Sequence, residues 1–192
     1  MTGPGRATRA ALLLGTLASL LAACAGPPLV LYTLGAGHAS AEGGGLPSVP
    51  VIIAVDRIAI PEELDNEDIL VRAGASLLRS GHGRWASRLS TEMTNRVTAQ
   101  LAQRRPDALV TSAPQRQTPT YRIIITLSRF DITADGQAIV VADWLIVPKD
   151  PAEAARRDRT AFTTYGPVAN DLDVVLLEGK ALDRLSDAIA LK

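Results

Sequence analysis

Residues 121–148 read YRIIITLSRFDITADGQAIVVADWLIVP, and this stretch decides the fold. In its first half, Tyr121, Ile123, Ile125 and Leu127 alternate with other residues, which is the period of a strand with one buried face. The turn residues 134–136 (Ala-Asp-Gly) then separate it from a second apolar run. A tight turn between two strand-like segments predicts an antiparallel hairpin.

Two segments have helical rather than strand periodicity. Residues 86–104 place apolar side chains at every fourth position, and Pro106 follows the segment, as is typical of a helix end. Residues 172–191 form a second, terminal helix with apolar residues at spacings of three and four. The residues that form the two stripes are Leu89, Met93, Val97, Leu101, Val174, Leu177, Ala181, Leu182, Leu185 and Ile189.

Short apolar runs elsewhere predict the remaining strands, the last of them an edge strand. These runs cover residues 29–34, 51–61, 69–74, 108–114 and 159–168. The element order is strands, helix, strands, helix, without regular alternation of strand and helix. The predicted fold class is therefore α+β, with a largely antiparallel or mixed β-sheet packed against two α-helices.

The N-terminus has the pattern of a bacterial lipoprotein precursor. Two arginines precede an apolar run too short to span a bilayer, as in a secretory signal peptide. Leu21, Ala22 and Ala23 then lead to Cys24, resembling a lipobox in which the cysteine is the lipidation site. The alternative, a transmembrane anchor extended past Cys24, is opposed by the two prolines at residues 27–28.

These patterns divide the chain into three parts. Residues 1–23 are the signal peptide, residues 24–50 a lipidated N-terminus with a short strand and a flexible linker, and residues 51–192 the α+β domain. Lys plus Arg equal Asp plus Glu at 20 each in the precursor, and the signal peptide removes two arginines. The mature chain is then slightly acidic, which argues against a nucleic-acid partner.

The residues that carry chemistry in enzymes are scarce. The two histidines are His38, in the predicted linker, and His82, between two glycines. The sequence lacks the GxSxG, HExxH and GxxxxGK[ST] patterns, and lipidation would consume the single thiol. We therefore expect no enzymatic activity, no metal and no cofactor.

The segment around His82 allows two interpretations. His82 with Arg79, Arg84 and Arg88 would make an anion site, or the segment is a surface turn whose arginines pair with the acidic residues 61–68. Trp85, just ahead of the first helix, is of a type that anchors a helix to a sheet. Arg156, Arg157 and Arg159 are predicted to lie in a solvated basic loop, because acidic residues interleave them.

Several stretches together resemble the family of ABC-type transport auxiliary lipoproteins, the PqiC-like proteins. They are YTL at residues 32–34, VDRIAIPEELDNEDILVRAG at 55–74, RWASRLSTEMTNRVTAQL at 84–101 and YRIIITLSRFD at 121–131, followed by the strand around Trp144. The sequence departs from the family pattern at Pro61, where a tyrosine commonly follows the proline and a glutamate stands here.

The resemblance implies a function without catalysis. It implies a lipid-anchored auxiliary subunit on the periplasmic face of the outer membrane, with an MCE-domain protein, its ABC permease and its ATPase as partners in lipid transport. His82, Arg84 and Trp85, or the exposed edge strand, are the candidates for docking that partner, and a homo-oligomer stays open. The alternative functions are a structural or assembly lipoprotein of the envelope and a periplasmic enzyme acting on lipids.

Overall fold

The computed structural model describes residues 28–35 and 51–189. The chain divides into two units, Met1–Val30 and Leu31–Lys192, and of the first unit only residues 28–30 are described. The strands are β1 Val30–Tyr32, β2 Val51–Val55, β3 Asp68–Ala73, β4 Ser76–Trp85, β5 Ala108–Thr111, β6 Tyr121–Ile132, β7 Gln137–Pro148 and β8 Arg156–Tyr165. The helices are α1 Leu89–Arg104 and α2 Asp171–Ala188, with a 3-10 turn at Glu62–Leu64.

The hairpin of β6 and β7 is the longest pairing and confirms the prediction from residues 121–148. The two strands are antiparallel over their whole length, from Tyr121 opposite Pro148 to Ile132 opposite Ala138, with one irregularity near Leu127. Alternate side chains of both strands are buried, as the period of two requires. Gly136 closes the connection with a φ of 81°, a backbone conformation that glycine adopts without steric cost.

Around this hairpin, five strands form a mixed sheet in the order β5-β2-β6-β7-β8. The central pairings of β6, β7 and β8 are antiparallel, whereas β2 runs parallel to both β5 and β6. The remaining strands form a second sheet in the order β1-β4-β3. Two helices pack against mixed sheets, so the predicted α+β class is confirmed, with the strands divided between two sheets.

Both helices bury the predicted apolar stripes. The residues at the helical spacings in α1 and α2 all belong to one hydrophobic core with the inner side chains of β2, β6 and β7. The α1 helix begins at Leu89 rather than near residue 86, because Arg88 before it has an extended backbone, with a ψ of 140°. Asn170 caps the start of α2, where its side chain accepts from the backbone N–H of Asp173 at 3.0 Å.

Two segments predicted as irregular are strands. The segment around His82 belongs to β4, not to a free turn, and the supposed basic loop at Arg156–Arg159 is the start of the edge strand β8. Two of these arginine side chains contact residues of the neighbouring strand β7. Arg159 pairs with Asp143 at 2.8 Å, and the Arg156 guanidinium lies 5.4 Å from the centre of the Trp144 ring. Cross-strand charge pairs and a cation–π contact thus permit a strand where the composition indicated a loop.

No helix among the described residues is both long and apolar enough to cross a membrane. The predicted signal peptide, residues 1–23, lies outside the described residues, as do residues 36–50 of the predicted linker.

The hairpin connection generates a stability test. In Gly136→Ala, the new Cβ would lie 2.5 Å from the carbonyl oxygen of Gly166, at a positive φ. We expect a loss of about 2 kcal/mol or more in the free energy of unfolding, since the left-handed conformation alone costs about 1–2 kcal/mol. Gly81→Ala is the matched control, because no atom lies within 4 Å of its Cβ position. Equal destabilisation of both variants in urea titrations would contradict this account.

Candidate functional site

The chain that leads from the N-terminus is fixed to the folded body at residues 32–35. The Tyr32 carbonyl accepts from the N–H of Ala86 at 2.8 Å. The N–H of Leu34 donates to Glu92 Oε2 at 3.2 Å, and the Leu34 carbonyl accepts from Arg96 Nη1 at 2.5 Å. The Leu34 side chain is only 3% exposed and belongs to the core. We call Leu34, Glu92 and Arg96 the anchor clamp.

The two helical residues of the anchor clamp are themselves held in place. Ser87 donates to Glu92 Oε1 at 2.7 Å. Arg96 makes two hydrogen bonds to Asp183 of α2, at 2.9 and 2.7 Å, so the same guanidinium joins both helices and the N-terminal segment. Gly179 of α2 lies beside this guanidinium, and a Cβ there would be in ordinary van der Waals contact with it, 3.5 Å from the guanidinium carbon.

The anchor clamp changes the length of the predicted tether. The sequence suggested that the chain from Cys24 to about Pro50 gives reach. Because residues 32–35 are bound to the body, the covalent path from Cys24 to the body is no longer than the eight residues to Tyr32. Residues 36–50 then connect two points of the same unit. Eight residues span at most about 29 Å when fully extended.

The anchor clamp could not be predicted from the apolar stripe of α1, because Glu92 and Arg96 lie outside that stripe. Glu92 is in fact buried, with 8% of its surface exposed. Each residue directly precedes a member of the apolar stripe, Met93 or Val97, and the two are four residues apart. A Glu and an Arg at this spacing, on the border of a buried face, are the signal in the sequence.

His82 lies on a bulge that the rest of the molecule supports. Leu70 pairs with Arg79 and Asp68 with Arg84, so the four residues 80–83 of β4 stand opposite a single residue of β3. Ser80 Oγ accepts from the N–H of His82 at 3.1 Å and of Gly83 at 2.8 Å, and it donates to Asp171 at 2.8 Å. This arrangement leaves the His82 side chain exposed. Residues 80–83 are called the His82 bulge below.

The close packing under the bulge requires glycine at position 83. A Cβ there would clash with the Asp171 carboxylate, which Ser80 holds in place. The first turn of α2 therefore fixes the shape of the His82 bulge.

The arginines near His82 do not converge on an anion site. Arg84 and Arg79 pair with Asp68, at 3.0 and 3.9 Å, and Arg88 pairs with Asp65 at 3.7 Å. Both aspartates belong to the acidic segment 61–68, as the second interpretation of this segment predicted. Trp85 is buried with 1% of its surface exposed, so its side chain has no surface to offer a partner.

A carboxyl group is buried in the core where the sequence indicated only apolar packing. Glu178 of α2 is 2% exposed, and its Oε2 has no hydrogen-bond partner among the described residues. It lines a cavity of about 10 Å³ together with Leu70, Arg72, Phe130 and Asp131 among others. Burial raises the pKa of Glu178 to about 8. The signal in the sequence is a charged residue four positions from two stripe members, Val174 and Leu182.

Asp131 lines the same cavity, but its pKa is shifted in the opposite direction from that of Glu178. Burial opposes its charge, but hydrogen bonds from Arg129 and Arg72 outweigh burial and hold the pKa of Asp131 below its ordinary value. Arg72 is therefore engaged by Asp131, and Glu178 has no cation of its own among the described residues.

Two further predictions from the sequence concern metal binding and lipidation. Within residues 28–35 and 51–189, no group of three or more His, Cys, Asp or Glu side chains is placed to hold a metal ion. The lipidation site Cys24 and the lipobox residues Leu21, Ala22 and Ala23 lie outside the described residues, so these assignments stay predictions.

The family comparison covers the whole folded body. The ABC-type transport auxiliary lipoprotein component family matches residues 32–190. The chain belongs to this family. It is therefore an auxiliary lipoprotein of ABC-type transport, which makes it a membrane-anchored protein of the cell envelope. The match begins at Tyr32, whose carbonyl accepts from the N–H of Ala86.

Solved structures show the same fold at low sequence identity. A crystal structure of an uncharacterized protein is 17% identical, with a TM-score of 0.68 over 85% of this chain and 97% of that chain. The DUF330 protein XCC0632 from Xanthomonas campestris is 16% identical, with a TM-score of 0.53 over 77% of this chain and 85% of that chain. No curated protein matches the sequence.

The anchor clamp is tested by comparing two arginines of α1 that each pair with an aspartate of α2. In Arg96→Ala we expect hydrogen exchange at the Leu34 amide to accelerate at least about tenfold, because a hydrogen bond to a charged group contributes about 1.5–3 kcal/mol. Arg104→Ala removes the pair with Asp187 but has no bond to residues 32–35, so exchange there stays unchanged. The same acceleration in both variants would mean that the helix pair, not the clamp, holds the segment.

Glu178 predicts a pH dependence of stability. Its pKa is about 8 in the folded state and 4.5 for an unburied glutamate, so between these values the folded state binds one more proton than the unfolded state. Stability contributed by protonated Glu178 is therefore present at pH 4.5 and falls as the pH rises to 8, by about 1.4 kcal/mol per unit.

The matched variant for this test is Glu178→Gln, which keeps the shape and stays neutral. Its unfolding free energy, measured by urea titration from pH 5 to 8, should lack the decline that the wild type shows. Parallel curves for the two proteins would show that Glu178 is ionised in the core.

Proposed function

We propose that this auxiliary lipoprotein is acylated at Cys24 and holds its folded body against the periplasmic face of the outer membrane, where it docks the MCE-domain protein of an ABC-type lipid transporter. The observation that carries the proposal is the anchor clamp. It binds Leu34, only ten residues after Cys24, so the body stays close to the membrane that holds the acyl chains. Such confinement raises the effective concentration of the body for a partner at that membrane.

Features of the N-terminal sequence support the place of the anchor. Several acyl chains on one cysteine bind a bilayer stably, whereas one chain binds only marginally. Ala25 follows Cys24, and lipoproteins kept at the inner membrane commonly have aspartate there. Because Ala25 is not an aspartate, the lipoprotein is sorted to the outer membrane in this proposal.

The His82 bulge is the proposed docking element for the MCE-domain protein. It is exposed, its backbone is fixed by Ser80 and Asp171, and a fixed loop loses little conformational freedom on binding. Arg84 lies beside it but is engaged with Asp68, and Trp85 supports it from the core. The outer edge of β8 is a second surface for a partner, by strand addition.

Mild crosslinking in cells followed by purification tests the function. We expect an MCE-domain protein to be recovered with the wild-type chain, together with its permease and ATPase. Cys24→Ser should leave the protein unacylated and reduce recovery at least about tenfold, because the effective concentration at the membrane is lost. Normal acylation of the Cys24→Ser variant would refute the anchor, and recovery of envelope assembly proteins without any MCE-domain protein would favour the structural function.

A second pair of variants separates docking from anchoring. His82→Ala should reduce recovery of the MCE-domain protein while acylation stays normal, whereas Gln117→Ala, an exposed residue in a different loop, should not. Unchanged recovery with His82→Ala would exclude the bulge side chain and direct attention to the edge of β8.

A further inference from the structure

The α2 helix has an apolar surface that no described residue covers. Leu172 and Leu176 are 51% and 62% exposed, and four residues apart they lie on the same face of the helix. Tyr165, 65% exposed, ends β8, and its carbonyl oxygen accepts from Lys180 Nζ of α2 at 3.0 Å. Thr164 before it is buried, so the Tyr165 side chain lies on the other face of the strand. Two large apolar side chains, Leu172 and Leu176, are therefore exposed on α2 where the helix meets the end of β8.

The charged residues around this apolar surface differ in their partners. Asp183 and Asp187 pair with arginines of α1, whereas Asp171 and Asp173, in the first turn of α2, accept only from the neutral groups of Ser80, Ala169 and Asn170. Lys180 and Arg184 form no ion pair with any described residue and donate to the backbone carbonyls of Tyr165 and Thr163. The apolar surface therefore has a cationic border on its C-terminal side.

The tether reaches the body at the same helix. Arg96 binds the Leu34 carbonyl on one side and Asp183 of α2 on the other, so a single side chain separates the end of the tether from α2. The path from Tyr32 back to Cys24 is eight residues long. A bilayer that holds Cys24 is consequently within reach of the exposed side of α2.

We infer that Leu172, Leu176, Lys180 and Arg184 form a surface that rests on a bilayer containing anionic phospholipids. We call these four residues the membrane face. The inference rests on the proposed function, in which acyl chains on Cys24 hold the chain at the membrane. Leucine side chains enter the boundary between headgroups and acyl chains, and lysine and arginine reach the lipid phosphates.

A second copy of the chain fits this surface less well than a bilayer. A stable protein interface buries about 800 Å² on each partner, which two exposed leucine side chains do not supply.

The test uses the full acylated lipoprotein, reconstituted into vesicles of phosphatidylethanolamine and phosphatidylglycerol. Cys24 is the only cysteine and is acylated, so Leu176→Cys introduces a single thiol for a bimane label. We expect lipids with a shallow doxyl group to quench this label at least about threefold more than a label on Ala161→Cys, an exposed residue of β8. Replacing phosphatidylglycerol by phosphatidylcholine, or introducing Lys180→Glu with Arg184→Glu, should lower the quenching to the control level.

Other outcomes overturn the inference in distinguishable ways. Equal quenching at positions 176 and 161 in protein that floats with the vesicles refutes the membrane face while leaving the anchor intact. In another outcome, the label at position 176 is unaffected by doxyl lipid and becomes less exposed to water as the amount of protein per vesicle is increased. That result indicates that a second copy covers the surface. Protein that does not float with the vesicles refutes acylation, and with it both the proposed function and this inference.

Discussion

The guanidinium of Arg96 is the interaction on which the arrangement of this molecule depends. It joins the N-terminal segment to α1 through the Leu34 carbonyl and α1 to α2 through Asp183. Two parallel hydrogen bonds between an arginine and a carboxylate fix direction as well as distance. The pair is partly buried, so losing one partner would leave a charge without compensation in a poorly solvated place. A lysine could not make the three contacts at once, because its ammonium lacks the planar fork.

The prediction from sequence succeeded where one period dominated a segment and failed where contacts between distant segments decided the structure. The β6–β7 hairpin follows from alternation in residues 121–148, and α1 and α2 follow from their stripes. The parallel placement of β2 between β5 and β6 does not follow from any local pattern, because it depends on which strands meet after the chain has passed through α1. Likewise, β8 begins at Arg156 because Asp143 and Trp144 receive the arginines across the sheet.

The candidate site was harder to predict for the same reason. His82 between two glycines was noticed, but its bulge exists only because Ser80 reaches Asp171, 91 residues later. Glu92 reads as a polar position of α1 until the Leu34 amide, 58 residues earlier, is placed against it. Glu178 reads as part of an exposed face, although its spacing from Val174 and Leu182 places it inside. In each case the sequence shows the residue and its spacing, and the partner comes from a distant segment.

Glu178 and Asp131 show how the core tolerates two carboxyl groups around one cavity. Asp131 keeps its charge because Arg72 and Arg129 donate to it, whereas Glu178 has no donor among the described residues and remains protonated near neutral pH, since burial raises its pKa. A second charge beside Asp131 would be repelled as well as poorly solvated, so neutrality of Glu178 is consistent with the ion pair next to it.

The α2 helix connects all the surfaces that the proposed function requires. Its first residue, Asp171, supports the His82 bulge, and its middle, at Gly179 and Asp183, receives the anchor clamp. Leu172 follows Asp171 directly but points about 100° away around the helix, so the support of the bulge and the membrane face lie on different sides. A rigid helix with these attachments fixes the docking bulge relative to the tether. If the membrane face rests on lipid, the orientation of the bulge toward the periplasm is then set by α2 and does not depend on the length of any flexible segment.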